Sequence, residues 1–141
     1  MLKIVKGLKE FIKDGISIYT DDKNVEYVRV KIEDEDFCIT AHDYARGSKY
    51  TFAWDDAMES LKEDDLTLFT KKQARLYHDH LDEINDMLKE IDGDELIPNW
   101  YWTSAEYNPK MTWTYYGGDE DVNHVALYKS SPHKVRPVLN L

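Results

Sequence analysis

Six apolar side chains, Ala74, Tyr77, Leu81, Ile84, Leu88 and Ile91, step along the chain by three and four residues without a break. That spacing draws one apolar stripe down a helix, and a stripe this long has to be covered by another layer of structure. Its start is marked by Thr70 and Gln73, which have the spacing of a capping box, with Phe69 and Ala74 placed as a hydrophobic staple. Gly93 marks its end as a C-terminal stop. The pattern predicts a helix from Thr70 to Ile91 lying on a sheet.

Strands are marked by a different period. Val28, Val30 and Ile32 alternate with Arg29 and Lys31, as in a half-buried strand. Ile16 to Tyr19 reads as a strand before it, broken at the turn-forming run Asp21-Asp22-Lys23-Asn24. Glu33 to Asp36 reads as a solvated turn, with Phe37 to Thr40 as the returning strand. Trp54, Ala57, Met58 and Leu61 form one face of a short helix whose first turn carries Asp55 and Asp56, where the helix dipole favours negative charge. Leu2, Val5, Leu8, Phe11 and Ile12 also recur at helical spacing, closed by Gly15. No repeat, linker or low-complexity segment interrupts the 141 residues, so one domain is expected. The fold class expected is α+β, with two or three helices packed on a twisted, mainly antiparallel sheet.

Charge narrows the partners. With 28 acidic against 18 basic side chains, the net charge of −10 repels phosphate backbones and anionic membranes. Nucleic acid and membrane are therefore not expected as partners. Cys38 is the single cysteine, so neither an intrachain disulfide nor a thiolate zinc cluster can form. Between Phe37 and Ile39, it reads as a buried and inert thiol. Lysines interrupt the N-terminal segment, and no run approaches the roughly 18 apolar residues of a membrane span. The expectation is a cytoplasmic chain, or one carried in a phage particle.

After Pro98, seven of the chain's 18 aromatic residues fall within 17 positions: Trp100, Tyr101, Trp102, Tyr107, Trp113, Tyr115 and Tyr116. Trp113 to Tyr116 and Val122 to Tyr128 read as strands around the turn Gly117 to Asp121, and Val135 to Leu139 as a last strand whose Pro137 suits a sheet edge. The string Tyr101-Trp102-Thr103-Ser104-Ala105-Glu106-Tyr107, then Trp113, a glycine turn, Lys129 and Val135-Arg136-Pro137-Val138, resembles a bacterial and phage family of C-type-lectin-like domains. That family is related to the C-terminal domain of collagen-like adhesins and, more distantly, is similar to formylglycine-generating enzymes. The resemblance covers residues 37–141 and implies a C-type-lectin-like portion there, with residues 1–36 as an N-terminal helix and strand extension. It implies neither activity, because the copper-binding cysteine pair of the enzymes is absent, as are the EPN-, QPD- and WND-type calcium motifs of sugar-binding lectins.

The remaining clusters are weak as sites. His78 and His80, two apart on a helix, point about 200° apart and cannot share a metal; His78 with Asp82 makes two ligands without a third. Asp119, Glu120, Asp121, Asn123 and His124 gather hard oxygen ligands without EF-hand spacing, which suits a solvated turn. Ser104 lacks a nucleophile elbow, though a triad with His124 or His133 is open from sequence. No metal, cofactor or catalytic group is therefore assigned. The function expected is a non-enzymatic module binding a glycan or a protein surface, with Trp100, Tyr115, Tyr116, Asp119, Asp121 and His124 as ligand contacts. Trp102, Tyr107 and Trp113 are expected in the core, and Glu106 and Arg136 as a partly buried ion pair joining the aromatic segment to the last strand. Two alternatives stand beside it: a structural or assembly component, oligomeric through its aromatic face, and a hydrolase with an unrecognised site.

Overall fold

The computed structural model describes residues 15–119 and 124–141. The expected N-terminal helix from Leu2, and Val122 of the expected sixth strand, lie outside the described residues. Within them the order is β1 (Ile16–Thr20), β2 (Glu26–Ile32), β3 (Glu35–Thr40), α1 (Trp54–Lys62), α2 (Lys71–Asp79), α3 (Leu81–Glu90), β4 (Trp100–Asn108), β5 (Met111–Tyr116), β6 (Val125–Tyr128) and β7 (Val138–Asn140). This is an α+β arrangement with two antiparallel sheets, ordered β1-β2-β3-β7 and β4-β5-β6, where one sheet was expected.

Period-two patterning builds the first sheet. Val28 and Val30 turn inward and are fully buried, while Arg29 turns outward and donates two hydrogen bonds to Asp36, at 2.8 and 2.7 Å. That fork-to-carboxylate contact draws Glu35 and Asp36 into β3, so the turn is shorter than the acidic run predicts. Across this hairpin Val30 pairs with Phe37. Cys38 is buried in β3, and burial pushes its thiol pKa up to about 12, which leaves it protonated and unreactive. Strand β7 forms an edge beside β3, as its preceding Pro137 suggests.

The helix expected from Thr70 to Ile91 is two helices. Its start is as predicted: Thr70 and Gln73 exchange both capping-box hydrogen bonds. His80 then leaves helical geometry at φ −121° and ψ 33°, ending α2 and starting α3. The break lets one stripe serve two sheets, because α2 packs on β4 and β5 while α3 packs on β1 and β2. Leu81, at the bend, is only partly buried. At the far end the N–H of Gly93 donates to Leu88 O and that of Asp92 to Lys89 O, a Schellman closure. The left-handed residue is Asp92, at φ 56°, and not Gly93. Glycine is needed at 93 for space, since a Cβ there would stand 2.8 Å from the Ala41 carbonyl oxygen.

Residues 67–69 stitch the sheets together. Thr67 exchanges hydrogen bonds with Val138 at the start of β7, and Ser104 of β4 donates to the Phe69 carbonyl. Strand β4 consequently has a core on each face. Tyr101 joins the cluster formed by the first sheet, α2 and α3, whereas Trp102 joins Phe52, Trp54, Ala57 and Leu61 around α1.

Candidate functional site

The seven aromatics of residues 100–116 divide by strand face and by position along the β4–β5 hairpin. Trp100 pairs with Tyr116, Tyr101 with Tyr115 and Trp102 with Thr114, so the members of each pair share a face. Tyr101 and Tyr115 stack in the central core with Phe69 and Tyr77. Tyr115, expected at the surface, is thus 4% exposed because α2 covers its face of the sheet. Its hydroxyl has no hydrogen-bond partner among the described residues, and burial holds its pKa well above the usual phenol value. Trp102 is buried as expected, its indole N–H donating to Phe52 O at 2.6 Å.

At the glycine turn, the described residues of the expected contact surface are covered in part. Trp100 and Tyr116 are half-buried and meet edge to face at 5.3 Å. Gly117 is pressed under Ile97 and Tyr101, with its carbonyl accepting the Tyr77 hydroxyl at 2.6 Å. Asp119 is exposed, while Asp121 lies outside the described residues.

The opposite end of the hairpin is open. Tyr107, expected in the core, is 55% exposed, because β4 runs past the start of α2 and past two register shifts. Its ring meets half-buried Trp113 edge to face at 5.1 Å. Met111 pairs with Tyr128 and Trp113 with Ala126 across β5 and β6, which extends the same face outward to Tyr128, itself 61% exposed. The Lys71 ammonium, at the first position of α2, lies over the Trp113 indole at 4.0 Å. His124 sits half-buried beside this platform with Nε2 unpartnered; burial lowers its pKa, and Lys71 and His78 lower it further. The result is an aromatic platform with a basic flank on an acidic molecule. Sequence reasoning did not connect Lys71, Met111 and Tyr128 to the aromatic segment, because only the β5–β6 register and the start of α2 bring them there.

Glu106 and Arg136 do not pair. Arg136 is fully buried and donates from Nε to Asp43 Oδ1 at 2.8 Å, and to the carbonyl oxygens of Thr40 and Asp94 at 3.0 and 2.8 Å. Asp43 also accepts the Tyr101 hydroxyl at 2.8 Å and stands 3.5 Å from the Lys134 ammonium. A central arginine thus ties the end of β3 and the Asp94 loop to the approach to β7. Glu106, itself largely exposed, instead meets Lys129 at 2.5 Å, and the mostly buried Lys129 also lies over Trp54 at 4.7 Å. Every Arg136 partner in this network is a backbone carbonyl or a loop carboxylate, which no strand or helix pattern predicts.

The catalytic and metal readings gain little from this geometry. Ser104 lies against the Phe69 carbonyl, and neither His124 nor His133 is near it in the hydrogen-bond network. Ser131 Oγ is 3.1 Å from His133 Nε2, but the serine hydroxyl also reaches Tyr128 O at 2.7 Å. Among the described residues no carboxylate forms an ion pair with His133 to orient it as the third group of a triad would. Among the described residues no three His, Cys, Asp or Glu side chains gather as a metal would require, and no helix is long and apolar enough to cross a membrane. His80, at the helix break, lies 3.5 Å from Glu83. Compared with protein-family models and with curated proteins, the chain matches none.

Proposed function

We propose that this domain is a non-enzymatic binding module that engages a protein surface through the platform of Tyr107, Met111, Trp113 and Tyr128. The observation that carries this is the open end of the β4–β5 hairpin, where Tyr107, which the sequence would bury, and Tyr128 stand in solvent beside half-buried Met111 and Trp113. Tyrosine, tryptophan and methionine are the side chains that dominate the buried centres of protein interfaces. A protein fits better than a glycan, because Lys71 lies over the indole face on which a sugar ring would stack. The reading includes the fold family. The C-terminal string from Tyr101 to Val138, together with the α+β layout, supports taking residues 37–141 as C-type-lectin-like.

The test is a photo-crosslinking amino acid placed at Tyr107, with exposed Tyr50 on the loop before α1 as the control. In the producing cell, an adduct to one protein at position 107 and not at position 50 is the expected result. Adducts with a second copy of the chain would move the reading to the assembly component. Identical adducts at both positions would end it.

A further inference from the structure

A second site lies where the chain between β3 and α1 meets that helix. Arg46 and Lys49 exchange both backbone hydrogen bonds, at 3.0 and 3.1 Å, around Gly47 and Ser48. Gly47 is at φ 64°, as the first central residue of a type II′ turn requires, and a Cβ there would meet nothing within 4 Å. Directly opposed residues of such a pair send their side chains to one face, so the turn presents two cations together. Facing them, Asp56, Glu59, Ser60 and Glu63 follow the i, i+3, i+4, i+7 spacing of a single stripe along α1. Between the two walls is a cleft of about 380 Å³ floored by Phe52, with the Lys49 ammonium 5.3 Å from its ring centroid.

The charges across this cleft do not neutralise each other. Arg46 donates from Nη1 to Ser60 Oγ at 2.9 Å, which fixes the guanidinium at the cleft wall and leaves its other donors without an ion pair among the described residues. Among the described residues Lys49 likewise forms no ion pair, and neither do Asp56, Glu59 or Glu63. Carboxylates at i, i+3 and i+7 of one helix repel each other, and Arg46 and Lys49 stand across the cleft from them without an ion pair. A partner with an anionic end and a cationic end would satisfy both walls at once.

We propose that this cleft binds a small zwitterion, its anionic group held by Arg46 and Lys49 and its ammonium by the Glu59 and Glu63 side of α1. Charge-assisted hydrogen bonds at both ends give such a ligand an advantage that no singly charged analogue shares. The proposal is independent of the aromatic platform. The test uses the full isotope-labelled chain titrated with the dipeptide alanyl-alanine, its N-acetylated form and its C-amidated form, read by amide chemical shifts. The free dipeptide should perturb the amides of residues 46–63, with each blocked form binding about tenfold more weakly or worse, as loss of one charged contact implies. Lys49→Met and Glu59→Gln, both at exposed positions, should weaken the free dipeptide similarly while leaving the thermal midpoint in place. No perturbation at millimolar dipeptide, equal binding of the blocked forms, or unchanged binding in both variants would overturn the proposal.

Discussion

Two charged residues of the C-terminal third show how burial decides what a charge contributes. Arg136 has no exposed side-chain surface and meets a carboxylate and two carbonyl oxygens, whereas the Glu106 side chain is 54% exposed beside Lys129. Removing one partner of a buried pair leaves the other desolvated and unmatched, at a cost of about 3–5 kcal/mol. A fully exposed pair contributes only about 0–1 kcal/mol; the Glu106–Lys129 pair lies between the two cases, because Lys129 is only 13% exposed. Arg136→Met is therefore expected to lower unfolding free energy by several kcal/mol in urea titrations, and Glu106→Gln by clearly less. Equal losses at the two positions would contradict the separate networks. The partner of Arg136 was illegible in the sequence because Asp43 is 93 residues away, in a loop that carries no periodic signal. What the sequence did display, apolar neighbours around Arg136, correctly marked burial and said nothing of direction.

At the scale of elements, legibility followed from how many faces a segment buries. Strand β2 buries one face and alternates, so Val28 and Val30 were readable as inward. Strand β4 buries both faces near its start, so Tyr101 and Trp102 show no alternation and no period marks the strand. The α2–α3 break was hidden for another reason. Neither glycine nor proline stands between Asp79 and Leu81, and the apolar stripe keeps its period through the bend. The break comes from tertiary packing, which sets each half on its own sheet. It predicts unequal sensitivity along one stripe. Ile84 is fully buried, so Ile84→Ala should cost about 2–5 kcal/mol, while Leu81→Ala at the half-open bend should cost clearly less. Chemical denaturation of the two variants measures this, and equal large losses would mean that Leu81 is as enclosed as Ile84.

For the molecule as a whole, the alternating strands and the capped helix carried the α+β class, but the sheet count and the open end of the hairpin depended on long-range register. The same long-range packing sets how stability responds to pH. His133 is edge-on to Trp102 at 4.9 Å, and burial lowers its pKa from 6.5; His124, between Lys71 and His78, is lowered in the same direction, first by burial. A histidine with a depressed folded-state pKa binds fewer protons folded than unfolded, so it subtracts stability as pH falls through 6.5, until the folded state protonates as well. An opposing effect operates over the same range, because acidification relieves the self-repulsion of a molecule carrying a net charge of −10. The three aspartates Asp21, Asp34 and Asp36, each held below 3.8 by hydrogen-bonding partners, lose their contribution only at lower pH and leave this window to the histidines. The measurable quantity is therefore a difference. Unfolding free energies of the wild type and of a His124→Gln, His133→Gln variant are compared from about pH 7.5 to about pH 5, where charge relief acts on both proteins. The wild type should lose stability relative to the variant as the pH drops, and two parallel profiles would show that neither buried imidazole resists protonation in the folded state.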